Sequence, residues 1–167
     1  MTMQDEMLKT IKSEFDRRVR EEGLERIEKC LSLLSEEEAW RHPNENTVSI
    51  ANLVLHLSGN VRQWICAGLG GESDVRKRDL EFSTTGGIPK SELVKIVRLA
   101  VQDAQQVISK TKVEELMELK DVQVYKENGL SILIHVIEHF SYHVGQITYA
   151  TKSMKNLDTL YYPEDLG

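Results

Sequence analysis

The sequence predicts an all-α fold, a four-helix bundle with at least one long crossover connection, and three observations point there. Apolar residues recur at three- and four-residue spacing along four long segments, the period of an amphipathic helix. Three prolines and an aromatic share of 6% argue against a large all-β fold. The connections between the periodic segments are very unequal in length, as in bundles that carry a crossover. The 167 residues fit one domain, 1–167, long enough to bury a core without staples.

The first helix is expected over about residues 4–34. Leu8, Ile11, Phe15 and Val19 share its apolar face, and the phase restarts after Gly23 with Leu24, Ile27, Leu31 and Leu34. Gly23 marks a kink or a close packing contact. Ser35 with Glu38 three residues on has the form of a capping box, so a short helical turn follows before the polar break at His42-Pro43-Asn44. The second helix is expected over about 48–68, with Ile50, Leu53, Val54, Leu57, Val61, Trp64 and Ile65 on its apolar face. Gly68, Gly70 and Gly71 end it. Residues 72–88 then form a long loop that carries the charged stretch 76–81, and loops of this length in a compact domain are often functional.

Pro89 opens the third helix, a favourable first-turn position, and the stripe Leu93, Ile96, Val97, Ala100, Val101, Ala104, Val107 and Ile108 carries it to about Lys110. Val113 to Leu119 holds a short helical turn, Val122 and Val124 alternate with polar residues as in a small extended segment, and Asn128-Gly129 is a turn. The fourth helix runs over about 130–154. The aromatic, acidic tail from Lys155, with Tyr161-Tyr162-Pro163, reads as a packing segment rather than a chemical one.

Charge and composition exclude several function classes. With 21 Lys+Arg against 27 Asp+Glu the net charge is −6, which argues against a nucleic-acid binder and against an anionic membrane surface as partner. No apolar run approaches the ~20 residues of a spanning helix, and the mixed charges of the first fifteen residues are unlike a signal peptide. Cys30 and Cys66 are too far apart for a CxxC motif. They fit a reducing cytoplasm, as small apolar fillers.

The chemistry concentrates in the histidines. The fourth helix carries His135, His139 and His143, each four residues from the next. Residues so spaced lie about 40° apart around a helix and about 6 Å apart along it, close enough for two imidazoles to hold one divalent ion. On the helical wheel His143 falls inside the apolar face of Ile132, Val136, Phe140 and Ile147, His139 on its flank, and His135 outside it. The candidate pair is therefore His139 and His143, with His135 a weaker member. A catalytic metal site usually takes three protein ligands and keeps an open position. His56 is the best third ligand, at the border of the second helix's apolar face beside Asn52 and Asn60. Taken alone, His56 reads better as a hydrogen-bonded core histidine than as a ligand, and Asn52, Asn60 and Gln146 also read as interhelical hydrogen-bonding residues. His135-Val136-Ile137-Glu138-His139 also matches the short H-x-x-E-H pattern of inverted zinc peptidases. The wheel points Glu138 away from the groove that His143 faces.

Two segments, Leu55-His56-Leu57-Ser58-Gly59-Asn60 and His139-Phe140-Ser141-Tyr142-His143-Val144-Gly145-Gln146-Ile147, resemble the DinB/YfiT-like superfamily of damage-inducible-type four-helix proteins. The stretch Asp74-Val75-Arg76-Lys77-Arg78-Asp79-Leu80-Glu81-Phe82 resembles a subgroup of unassigned function within it. The resemblance implies an up-down-down-up bundle, commonly a homodimer. It also implies a divalent ion, nickel or zinc, held by one histidine of the second helix and two of the fourth, which here are His56, His139 and His143. Some members resemble thiol transferases that join a low-molecular-weight thiol to an electrophile.

These readings lead to three expectations. The first is a metal-dependent enzyme of thiol-dependent, S-transferase-like chemistry on a small electrophile, since a cation stabilises a thiolate near neutral pH. The second is a hydrolase that uses a metal-bound water at the same histidines. The third is a non-catalytic, metal-binding, stress-associated dimer. Residues 76–81 supply substrate-binding charges in the first two, or are a surface loop whose Arg78 and Asp79 pair with neighbours.

Overall fold

In the computed structural model, residues 2–162 are described, and they are mostly helical with one small hairpin. The first helical stretch is continuous. It begins as α1 (Met3–Phe15), widens into π-helical turns over Asp16–Leu24, and resumes as α2 (Glu25–Leu33). Gly23 is a close-packing position: a Cβ there would lie 2.7 Å from Phe140 Cε1. The capping box read at Ser35 exists, with Glu38 N–H donating to Ser35 Oγ at 3.1 Å, and it starts the short α3 (Glu36–Trp40).

The second long stretch is α4 (Ile50–Val61), continued by π-helical turns over Arg62–Leu69. The expected end is observed at Gly70 and Gly71, and only Gly68 plays another part. Gly68 lies inside the helix against Val122, whose Cγ2 would sit 3.1 Å from an added Cβ, and Gly70 caps the end before Gly71 takes φ +75. The connection 72–88 is not wholly a loop, because it contains α5 (Arg78–Ser83), packed on α4. The third stretch is α6 (Lys90–Lys110), with Leu93, Val97, Ala100, Val101, Ala104 and Ile108 buried as the stripe predicts.

A single 3₁₀ turn (Val113–Leu116) leads into β1 (Leu119–Val122), which pairs antiparallel with β2 (Tyr125–Asn128) in the register Val122 to Tyr125. The extended segment is thus a hairpin. Asn128 is not in a turn but caps α7 (Gly129–Lys155), accepting from the Ser131 N–H at 2.8 Å. Asn156, with φ 48, closes α7 in the left-handed conformation. The tail packs back on the first helical stretch: Tyr161 Oη lies 3.0 Å from Cys30 Sγ and 2.8 Å from Thr148 Oγ1. Pro163 and the residues after it lie outside the described part. Both cysteines are free and buried.

The core sits where the four long stretches meet. Phe15, Ile27 and Leu31 from the first, Val54, Leu57 and Ile65 from the second, Leu93 and Val97 from the third, and Ile132, Leu133, Phe140 and Ile147 from α7 are all 3% exposed or less. α4 is enclosed by α6, α7 and α5, which all pack against it, and most of its residues are buried. That enclosure places polar side chains of α4 inside the protein. No described helix is long and apolar enough to cross a membrane.

Candidate metal centre

The centre lies between α4 and α7, roofed by α5. His56 is buried at 6% exposure, deeper than the border position its helical wheel predicts, because α5 covers the face of α4 that would otherwise meet solvent. His139 and His143 reach it from successive turns of α7. Each of the three offers one ligand atom, and those atoms lie within 4.8 Å of one another. The ring centroids are 5.1 Å apart for His56 and His139, 5.0 Å for His56 and His143, and 4.5 Å for His139 and His143.

Hydrogen bonds decide which nitrogens face inward. His56 Nδ1 is 3.0 Å from Glu81 Oε2. Arg76 Nη2 also lies 3.1 Å from Nδ1, but it donates to Glu81 Oε2 at the shorter distance of 2.8 Å; with the carboxylate as its acceptor, Nδ1 carries the proton and Nε2 keeps its lone pair. His143 Nδ1 likewise donates to Gln146 Oε1 at 2.7 Å, which leaves its Nε2 free. His56 Nε2 and His139 Nε2 face each other at 2.9 Å. With His56 Nε2 unprotonated, the 2.9 Å contact makes His139 Nε2–H its donor. Three imidazoles converging from two helices, one of them backed by a carboxylate, are a donor set suited to a divalent transition-metal ion.

Electrostatics favour neutral rings. Burial first, then the neighbouring His143 and His56, push the His139 imidazole down from its ordinary 6.5 to about 3. Burial also lowers His143, against the Gln146 hydrogen bond, and lowers His135. Glu81 is opposed by burial, but hydrogen bonds from Arg76 and His56 outweigh it and hold the carboxyl below its usual range. These shifts set the pH behaviour of the metal-free protein. An unfolded chain protonates His139 near 6.5, whereas the folded chain resists until about 3, so unfolding takes up a proton in between. Stability is therefore fully present above 6.5 and falls as pH drops toward 3. Thermal melts of the metal-free protein across that window should show a declining Tm, and His139→Ala should flatten the slope. An unchanged slope in the variant would refute the assignment.

Beside the histidines opens a cavity of about 360 Å³ that His56 and His139 help to line. Its wall includes Trp64, Arg78, Tyr125 and His135. His135 is not one of the three converging histidines. It stacks on Trp64 with ring centroids 3.7 Å apart and lies 5.2 Å from the His139 ring, so it forms the cavity's side. Asn60 Nδ2 lies 3.4 Å from His135 Nε2, and Asn60 Oδ1 and Trp64 Nε1 are buried with no hydrogen-bond partner among the described residues. Glu138 is exposed and lines a different groove with Ile11 and Arg18, so the H-x-x-E-H reading has no geometric support.

The charged stretch 76–81 divides. Arg78 lies over the Phe82 ring at 4.9 Å, and Asp79 is exposed. Arg76 and Glu81, taken in the sequence as substrate-binding charges or loop residues, are buried behind His56. Asn52 is the interhelical hydrogen-bonding residue expected: its Nδ2 donates to Glu81 O of α5 at 2.8 Å and to Thr84 O at 2.7 Å, and so pins this segment. No local signal marks Glu81 as a partner of His56, since the contact spans 25 residues.

A family model described as a protein of unknown function (DUF1572) matches residues 3–162. No curated protein matches the chain. Among solved structures, a conserved protein from Enterococcus faecalis superposes with a TM-score of 0.69 at 18% identity, covering 86% of this chain and 94% of that one. YjoA, a DinB-like protein from Bacillus subtilis, superposes with a TM-score of 0.65 at 19% identity, covering 89% and 94%. A DinB-like protein from Bacillus cereus does so with a TM-score of 0.63 at 16% identity, covering 83% and 89%. At these identities the likeness is one of fold.

Proposed function

The chain belongs to the DUF1572 family, of unassigned function within the DinB/YfiT-like superfamily, and on that premise we propose that it is a divalent-metal-dependent enzyme of S-transferase-like chemistry. His56, His139 and His143 are its metal ligands, and its substrates are a low-molecular-weight thiol and a small electrophile. One observation carries the reading: three imidazoles from two helices, with ligand atoms within 4.8 Å of one another, converge beside an open cavity. In this reading the long helices run up-down-down-up, the ion is nickel or zinc, and the protein works in the cytoplasm as a homodimer without nucleic-acid or membrane partners.

A divalent ion held by His56, His139 and His143 would supply a positive charge that stabilises a thiolate near neutral pH, the form that attacks an electrophilic carbon and displaces its leaving group. The chain's own residues provide the rest. Desolvation keeps the half-buried His139 and His143 rings from protonating, and Trp64, Tyr125 and His135 give the cavity an aromatic side on which a small organic molecule packs.

Metal analysis of the natively purified protein, followed by thiol-conjugation assays with a panel of thiols and electrophiles, tests this. The expected result is one equivalent of metal per chain and thiol consumption that needs it. Absence of bound metal under all loading conditions would defeat the reading. Metal with hydrolysis but no conjugation would replace the transferase by a hydrolase, and metal without turnover would leave a metal-binding protein.

A further inference from the structure

Glu81 does more than fill the space behind His56. It is 8% exposed and stands between two groups that both point at it. On one side Arg76 donates through Nε to Oε1 at 2.7 Å and through Nη2 to Oε2 at 2.8 Å. This is the two-pronged geometry in which a guanidinium fixes the plane of a carboxylate. On the other side Oε2 accepts from His56 Nδ1 at 3.0 Å. Arg76 is anchored in turn, donating through Nη1 to Gln63 Oε1 at 2.8 Å. The backbone of the segment is tied to α4 through Asn52.

α4 is built to admit this carboxylate. At Gly59, three residues after His56, an added Cβ would lie 2.0 Å from Glu81 Oε1 and 2.9 Å from Arg76 Nε. Any side chain there would drive the carboxylate off its seat. A glycine in a helix interior is less favourable than alanine, and at this position it clears the place of Glu81.

We propose that Glu81, clamped by Arg76 and admitted by Gly59, is the positioning residue that holds His56 in its Nδ1–H tautomer and aims Nε2 into the three-histidine group. The inference rests on the metal-binding reading for its purpose, but its geometry does not. Without Glu81, His56 is free to flip its tautomer and to rotate about its ring axis. A carboxylate behind a metal-bound imidazole also raises the basicity of the ligating nitrogen.

Two measurements on the full-length protein decide it. Ring-nitrogen NMR of the metal-free wild type should show His56 protonated at Nδ1, and Glu81→Ala should convert it to a tautomer mixture. Zinc titration with competing chelator should show affinity lower by roughly 10–100-fold in Glu81→Ala. Glu81→Gln, which keeps an acceptor but no charge, should fall between. Gly59→Ala, which touches no histidine, should reproduce the loss. A purely structural role would lower Tm in these variants while leaving the His56 tautomer and the zinc affinity as in the wild type, and that result would overturn the proposal. So would Nε2 protonation of His56 in the wild type. If the wild type shows the Nδ1–H tautomer, lost in Glu81→Ala, yet binds no zinc, the metal reading fails and the positioning of His56 stands.

Discussion

Replacing His139 by alanine is expected to abolish stoichiometric metal binding while leaving the fold intact. His139 is the middle member of the centre, 2.9 Å from His56 across its Nε2 and 4.5 Å from His143 between ring centroids. Its removal leaves only His56 and His143, with ring centroids 5.0 Å apart, and two imidazoles are fewer than the three protein ligands such a site takes. Since supporting residues behind a ligand are worth roughly 10–100-fold in affinity, loss of a ligand itself should exceed about 100-fold. The readout is direct. At an ion concentration about 100 times the Kd, binding stabilises the folded state by about 2.7 kcal/mol. For a domain of this size that raises Tm by roughly 5–10 °C. The wild type should show that rise with zinc or nickel, and His139→Ala should show none. A variant that keeps one tightly bound equivalent would remove His139 from the site.

Phe140→Ala should have the largest effect on stability. Phe140 is 1% exposed and among the largest fully buried side chains. Its ring fills the close approach that Gly23 permits between the first helical stretch and α7. Truncating a buried phenylalanine costs about 3–5 kcal/mol, because the cavity adds to the lost transfer free energy. A fall in Tm on the order of 10 °C follows for a chain of this length. Urea denaturation checks it through the midpoint. A loss below about 1 kcal/mol would mean that the neighbouring helices close the gap. The position also couples fold to site, since Phe140 directly follows His139 on α7. A loosened α7 should weaken metal binding along with stability, whereas His139→Ala should weaken binding alone.

Much of this architecture is readable along the chain. The stripe from Leu93 to Ile108 is buried as its period predicts, and the capping box at Ser35 stands where Ser35 and Glu38 announce it. The spacing of His139 and His143 places both on one side of α7, since a regular helix converts sequence spacing into direction. His56 was reachable from its wheel and from the resemblance of its segment, though its burial was underestimated. Gly68 was misread as a stop, because a glycine that admits Val122 from the hairpin looks the same in sequence as one that ends a helix.

The helices, their faces and the paired histidines of α7 are properties of local periodicity, and periodicity is written in neighbouring residues. What encloses the histidines is of another kind. Glu81 reaches His56 across 25 residues and His139 meets His56 across 83. Each contact depends on how a segment without strong periodicity folds back over α4. Gly59 and Asn52 receive that segment, yet in the chain they are one glycine and one asparagine in an apolar helix. Their meaning arises only when α5 is laid against them, since a close approach and a two-acceptor hydrogen bond belong to pairs of segments and not to either one alone.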